Sequence, residues 1–365
     1  MRLARTVARG IPLSLIFGKI IWGHLVMSQP VGSRSAILAL VLSLSAFIVT
    51  SSSLAAAGLP RTVNGKHVMW AADQGYPSTD QTSANNLIYH GGTVETVPVV
   101  FTVYWGTEWE SGFTATHSVF TYTSATIQNY INSFFTRVGG SRWAGVPTQY
   151  CQGITAPAFS CTGQSGAQHI TNPSGQLKGT WTDPTPAPSD IVATALVSNF
   201  TTDPLEAEAI RAAQHFGYDA NATYMIFTPP NHGATGYGSI YCAYHEETTH
   251  TTSPGVRYAF IPYVPEQGTA CGGNKVNLQD DAFGHGYLDG YSIVAGHEYA
   301  EAATDPDNLN GYQDGWNDAT TSENGDKCAW SGLQNITLAG QFYAVQPLWS
   351  NEANGGQGGC AIGVS

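Results

Sequence analysis

The chain has 365 residues and a formal net charge of −12 at pH 7, and it contains only 14 lysines and arginines. So acidic a chain is a poor partner for a nucleic-acid backbone or an anionic membrane surface, and neither is predicted to bind it. The six cysteines form an even number, which predicts disulfides and an exported protein.

The first 57 residues have the pattern of an N-terminal extension with a secretory signal peptide. An apolar stretch at 36–47 follows Arg34, and small residues at 55–57 offer a cleavage site. The stretch is short for a membrane span, so cleavage without a lasting membrane anchor is predicted. Met27 is an alternative start. The mature protein is therefore expected to be secreted and extracellular.

Residues 58–85 are a polar leader, interpreted as a propeptide or an extended arm, and residues 86–365 are interpreted as one domain. Hydrophobic period and helix caps predict the elements of that domain. In chain order they are a strand at 99–104, a helix at 124–138, a strand at 175–181, a helix from Ser189 or Asp190 to about Val197, a helix at 205–216, strands at 222–227 and 257–264, a helix ending before Pro306, and a hairpin of 335–338 and 342–346.

This order of elements predicts an α+β fold, or an α/β sandwich, in which a zincin-like helix packs on a mixed sheet. Disulfides are expected to stabilise it. Nearest-neighbour pairing is the preferred prediction, and a cysteine metal site is not expected because no two cysteines have C-x-x-C spacing. The predicted pairs are Cys151–Cys161, Cys242–Cys271 and Cys328–Cys360.

The strongest functional signal is the pentapeptide His-Glu-Tyr-Ala-Glu at 297–301. Helix positions four apart lie on one face, so His297 and Glu301 point the same way, with Glu298 beside them. Zinc hydrolases use this geometry in H-E-x-x-H, here with Glu in place of the second His. His297 and Glu301 are the predicted metal ligands, and Glu298 is the predicted general base that activates water. An apolar helix rarely buries such residues without a partner, which favours a metal site over a solvated face.

A third ligand is expected from the acidic loop after the helix. Glu323 is preferred, because a disulfide at Cys328 would hold its segment rigid. Asp305, Asp307 and Asp326 remain open, and Asp307 has the spacing of the last metzincin ligand although that motif's glycine is missing. Zinc is the predicted metal, and the carboxylate-rich set leaves manganese or calcium open.

A histidine outside the helix is a further candidate. His245 lies in the Gly-, Tyr- and His-rich segment 231–250, three residues after Cys242. It could reach the helix as a ligand or as a hydrogen-bond donor to a transition state. The preferred interpretation is an ordinary surface histidine beside a disulfide.

Several blocks of the mature chain resemble the phosphate-induced protein 1 / Exordium family of secreted proteins. The blocks are NNLIYHGGTVETVPVVFTVYWG at 85–106, the helix at 127–135, YCAYHEE at 241–247, YAFIPY at 258–263 and the end from 289 to 360. The resemblance implies an extracellular, cell-wall-associated protein, and plant members are growth regulators without a known activity. They lack the His and Glu of the helix, so this chain resembles a microbial branch with HExxE, for which a zincin-like peptidase role is expected.

Two main functions are therefore predicted. The preferred one is a secreted metal-dependent hydrolase, a zinc metallopeptidase acting on extracellular protein or peptide. The alternative is a non-catalytic extracellular or cell-wall protein with a structural metal site or none, in contact with wall glycan. A glycosidase that uses Glu298 and Glu323 ranks last.

Overall fold

The computed structural model describes residues 62–63, 66–74, 86–191, 203–248, 255–306 and 314–364. These residues belong to the unit 55–365. Three predictions lie outside them: the signal peptide, most of the helix expected to end near 197, and the alternative ligand Asp307. Within the described ranges, no helix is long and apolar enough to cross a membrane.

The described elements are bounded as follows. The α-helices are α1 (Thr107–Ser111), α2 (Ser124–Val138), α3 (Pro204–Phe216), α4 (Asp289–Thr304) and α5 (Ala353–Gly356). The 3-10 segments are Ala72–Gln74, Val146–Gln149, Val264–Cys271 and Asp326–Cys328. The strands are β1 (Thr62–Val63), β2 (Lys66–Trp70), β3 (Ile88–Tyr89), β4 (Val99–Trp105), β5 (Thr114–His117), β6 (Phe120–Thr123), β7 (Cys151–Gln152), β8 (Gln168–His169), β9 (Leu177–Asp183), β10 (Ala222–Phe227), β11 (Tyr241–Glu247), β12 (Arg257–Ile261), β13 (Trp316–Asn317), β14 (Gln334–Leu338), β15 (Gln341–Val345), β16 (Leu348–Ser350) and β17 (Gly359–Ala361).

One mixed sheet of seven strands organises the fold, in the order β1-β2-β11-β12-β10-β4-β9. The strands β12, β10, β4 and β9 are parallel to one another. At one edge, β11 pairs with β12, β2 pairs with β11 and β1 pairs with β2, and each of these three pairs is antiparallel. Every residue of β4 is buried, as expected for a central strand with both faces covered. The confirmed class is therefore mixed α and β with a mixed sheet.

Helices cover both faces of this sheet. Alternate residues of β4 point to opposite sides, so that Phe101 joins the cluster around α3 and Tyr104 joins the cluster around α2 and α4. Helix α4 lies between the sheet and the hairpin β14–β15, and all 16 of its residues are buried. The side chains of Ile293 and Val294 each gain roughly 1.5–3 kcal/mol from burial. That gain supports a helix that also carries His297 and two glutamates away from water.

Most predicted elements are confirmed to within a residue or two, namely α2, α3, β4, β10 and the hairpin β14–β15. The strand predicted at 175–181 lies at Leu177–Asp183, and the strand predicted at 257–264 ends at Ile261. All three predicted disulfides are confirmed. Three disulfides indicate that the chain folds in an oxidising, extracellular type of environment.

Three strands of the sheet were not predicted. Strand β11 lies in the segment that was interpreted only as Gly-, Tyr- and His-rich, and β1 and β2 lie in the leader 58–85. Strand β2 pairs with β11, so this part of the leader belongs to the sheet. Whether maturation removes any of residues 58–85 stays a prediction.

Candidate metal centre

Two histidines and four carboxylates meet where α4 passes beneath β11. The residues come from α4, from β11 and from the turn before Cys328, and none is more than 4% exposed. The six residues are His245, His297, Glu298, Glu301, Glu323 and Asp326, and they are called the acidic cluster below. Burial of so many ionisable groups is costly unless each is paired, hydrogen-bonded or bound to a metal.

The ring of His297 is held with one nitrogen directed at two carboxylates. Its Nδ1 lies 3.2 Å from Oε1 of Gln346, whose amide nitrogen donates to the carbonyl of Gly325 at 2.7 Å. Because the amide nitrogen of Gln346 donates to Gly325, its amide oxygen is the atom that faces His297. That oxygen can only accept, so Nδ1–H of His297 donates to it, and a neutral ring then has its lone pair on Nε2. Metal-binding histidines are oriented by the same kind of partner.

The free nitrogen of His297 faces oxygen atoms. Its Nε2 lies 3.0 Å from Oε1 of Glu301 and 3.9 Å from Oδ1 of Asp326. Within the described part of the chain this nitrogen makes no hydrogen bond. Ligand atoms on tetrahedral zinc, with bonds of about 2 Å, lie roughly 3.3 Å apart. The three atoms therefore fit a cation between them.

A glycine lets the loop close over this position. The backbone N–H of Asp326 donates to Oε1 of Glu301 at 2.8 Å, which aligns both carboxylates. A Cβ on the preceding Gly325 would lie 2.9 Å from that same oxygen and 2.9 Å from Nδ1 of His297. Only glycine allows the backbone to approach these two side chains so closely.

The loop itself is fixed by buried polar contacts. Asn324 donates to the carbonyl of Ala300 at 3.0 Å and thus ties the turn to α4. Lys327 donates to Asp318 at 2.8 Å, and its ammonium lies 4.4 Å from the ring centroid of Trp349. The disulfide Cys328–Cys360 joins the end of the turn to β17. These contacts position the carboxylates that the turn contributes.

The interpretation of His245 as a surface histidine is wrong, because the residue is fully buried. Its Nδ1 lies 3.2 Å from Oε2 of Glu298 and 3.6 Å from Oε2 of Glu301. Its Nε2 lies 3.1 Å from the carbonyl of Asp305 and 3.4 Å from Oε1 of Glu323. Strand alternation turns this side chain, like Ala243, toward α4. The alternating segment Tyr-Cys-Ala-Tyr-His was the available signal for that strand.

The predicted ligands fall into two groups. His297 and Glu301 meet Asp326, whereas Glu323 meets Glu301 and His245, with the ligand atoms of each group within 4.8 Å of one another. Asp305 accepts hydrogen bonds from the backbone of Gly315 and from Asn317 instead. The geometry therefore joins Asp326, rather than Glu323, to His297. Glu301 is common to both groups.

The pKa values reflect this crowding. Burial raises the pKa of Glu298 and raises that of Glu323 well above its usual range. Burial opposes charge on His297, but Glu301, Glu298 and Asp326 outweigh it and raise the pKa to about 10. Burial would raise the pKa of Glu301 too, yet His297 holds it below its usual value. Without a cation, protons must therefore occupy the cluster.

Substitution of Gln346 tests how far the orientation of His297 matters. Gln346→Leu removes the acceptor at Nδ1, and we expect the affinity for Zn²⁺ to fall by about 10–100-fold. Competition with a chromophoric chelator measures this affinity. Gln152→Leu is the control, because Gln152 accepts from the backbone of Val94 outside the cluster. Unchanged affinity in Gln346→Leu would show that this contact does not orient His297 for metal binding.

Comparison with known proteins identifies no relative: no protein-family model, curated protein or solved structure matches the chain. The likeness to the Exordium family rests on the sequence blocks alone.

Proposed function

We propose that this protein is a secreted metal-dependent hydrolase whose preferred substrates are peptide bonds. The observation that carries the proposal is the position of Nε2 of His297, which lies 3.0 Å from Glu301 and 3.9 Å from Asp326 while Gln346 holds the other ring nitrogen. His297, Glu301 and Asp326 would hold the cation. The three disulfides and the N-terminal extension support secretion.

Zinc is the proposed metal. Imidazole nitrogen with carboxylate oxygens is a common zinc set, and manganese accepts the same donors. Calcium fits less well because it takes 6–8 oxygen ligands in proteins. When bound, such a cation polarises a substrate carbonyl and lowers the pKa of water.

Glu298 is the proposed general base. Its Oε2 lies 3.2 Å from Nδ1 of His245, while no described residue hydrogen-bonds its Oε1. Burial raises the pKa of this carboxyl, so it accepts a proton more readily than an exposed glutamate. His245 fixes one oxygen, which leaves the other to take a proton from water and pass it to the leaving amine.

Substrate access requires part of the covering layer to move, because the cluster has almost no exposed surface. Sequence reasoning suggested that a neighbouring strand edge could hold an extended peptide. In the structure β2 already pairs with the outer edge of β11, and His67 of β2 lies 3.6 Å from Oε2 of Glu323. An added peptide strand therefore cannot bind at β11 while β2 is in place.

The same burial supports a second candidate function. A metal enclosed on all sides suits a structural role, and the chain would then be a non-catalytic extracellular or cell-wall protein of the kind that the Exordium resemblance implies. Contact with wall glycan would then take place away from the cluster. The two functions differ in whether hydrolysis depends on Glu298.

Metal content of the purified full chain tests the centre that the first function requires. We expect the wild type to contain bound zinc. The variant His297→Ala should lose the zinc bound at this position, because one of its three proposed ligands is gone. Elemental analysis after dialysis against metal-free buffer measures this. His169→Ala is the control, since His169 is exposed and lies on β8. A wild-type protein that binds no Zn²⁺ or Mn²⁺ would contradict the proposal.

A further inference from the structure

We infer that the acidic cluster holds two divalent cations, with Glu301 bridging them and with His245 and Glu323 as the ligands of the second. The inference rests on the proposed function only for the first position, at His297 and Asp326. The second position is argued from three observations on residues that the proposed reaction does not require as ligands.

The first observation is the orientation of Glu301. Its Oε1 faces His297 at 3.0 Å, and its Oε2 faces His245 at 3.6 Å. The two oxygens of one carboxylate thus point into different ligand groups. A carboxylate shared in this way is suited to bridge two cations, which in two-metal hydrolases lie about 3.5–4 Å apart.

The second observation is the state of Glu323. Its side chain is 1% exposed, and neither oxygen receives a hydrogen bond from the residues that the structure describes. His245 lies 3.4 Å from Oε1 and His67 lies 3.6 Å from Oε2, so an ionised Glu323 is very unfavourable unless one of these histidines is protonated or a metal ion lies beside it. Two other buried carboxylates have a cationic partner, namely Asp318 in Lys327 and Glu208 in Arg211.

The third observation is the surroundings of His245. Glu298 and Glu301 lie on the Nδ1 side, and the carbonyl of Asp305 and Glu323 lie on the Nε2 side. All four groups can only accept hydrogen bonds when the carboxylates are ionised. A neutral imidazole that donates from Nδ1 to Glu298 has its lone pair on Nε2, which then faces the oxygens of Asp305 and Glu323. Either a proton or a cation on that side makes the contact favourable.

Two divalent cations would balance the ionised carboxylates of the cluster. Glu298, Glu301, Glu323 and Asp326 bring four negative charges when ionised, and two divalent cations bring four positive charges. A single cation would leave two negative charges that only protons on the histidines or carboxylates of the cluster could balance. Lys327, the lysine next to Asp326, is already hydrogen-bonded to Asp318.

The test is the number of Zn²⁺ ions bound per chain after equilibrium dialysis at a fixed low free concentration. We expect two in the wild type, one in Glu323→Gln and one in Asp326→Asn, because each variant loses a ligand of one position only. Glu208→Gln is the control and should keep two, since Glu208 is a buried glutamate on α3. One ion in the wild type, or two in Glu323→Gln, overturns the inference.

A spectroscopic measurement covers the case in which a variant does not fold. Wild-type protein loaded with Mn²⁺ should show the electron paramagnetic resonance of a spin-coupled pair, and isolated Mn²⁺ signals alone would overturn the inference. One ion together with Glu298-dependent hydrolysis would refute the second position and keep the proposed function. Two ions without hydrolysis would keep the second position and refute the proposed function.

Discussion

Replacement of Glu298 by glutamine is expected to lower hydrolysis by about 10²–10⁴-fold, the usual contribution of a general base. Glutamine has the same shape and keeps an oxygen that can accept a hydrogen bond from His245, but it cannot take up a proton. The proposed metal ligands His297, Glu301 and Asp326 are untouched, so bound zinc should stay at the wild-type level. Loss of turnover with retained metal would therefore assign a proton-transfer role to Glu298.

The assay uses the full chain with an unfolded protein such as casein, and it follows the release of new amino termini. Glu208→Gln provides a matched control, because it also replaces a buried helical glutamate but lies on the other face of the sheet. A fully active Glu298→Gln would eliminate the base mechanism. A wild type that holds zinc but cleaves nothing would leave the non-catalytic function as the better account.

Removal of the metal is expected to destabilise the fold, and more so as the pH rises. Free metal at about 100–1,000 times its dissociation constant contributes roughly 2.7–4.1 kcal/mol to the free energy of unfolding. At about 2–4 °C per kcal/mol for a chain of comparable size, chelation should lower Tm by roughly 5–15 °C near neutral pH. Calorimetry with and without a chelator measures the difference.

The pH dependence follows from the direction of the pKa shifts. Glu323 and His297 have raised pKa values in the metal-free fold. Groups of this kind stabilise the fold below their unfolded pKa values, and this contribution is lost as the pH rises toward about 10 for His297. The metal-free protein should therefore lose stability between pH 5 and 8, while metal binding strengthens as the histidines lose protons. A Tm gap between loaded and chelated protein that shrinks with rising pH would contradict this account.

The local part of the candidate site could be predicted from the sequence. His297, Glu298 and Glu301 lie within one helical turn, so their relative geometry follows from the helix alone. The same holds for α2 and α3, where apolar period and the cap at Asp203 set the boundaries. The disulfides followed from an even cysteine count and nearest-neighbour spacing.

The distant part could not be predicted in the same way. Glu323 and Asp326 lie three residues apart in an irregular turn without a period, and the contacts of Asn324 and Asp326 with α4 decide where each carboxylate points. Gln346 is 49 residues from His297, and His245 is 53 residues from Glu298. Strand β11 also contains polar residues at buried positions, which conceals the usual strand pattern.

The full enclosure of α4 bears on how the protein would acquire its metal. A cation among such buried ligands can leave or enter only when the covering elements separate, so its exchange rate is limited by local or global unfolding. The proposed ligands come from a strand, a helix and a turn that all lie in the C-terminal part of the chain. Metallation would therefore accompany folding, and the metal content would record the ions present where the chain first folded rather than those it met afterwards.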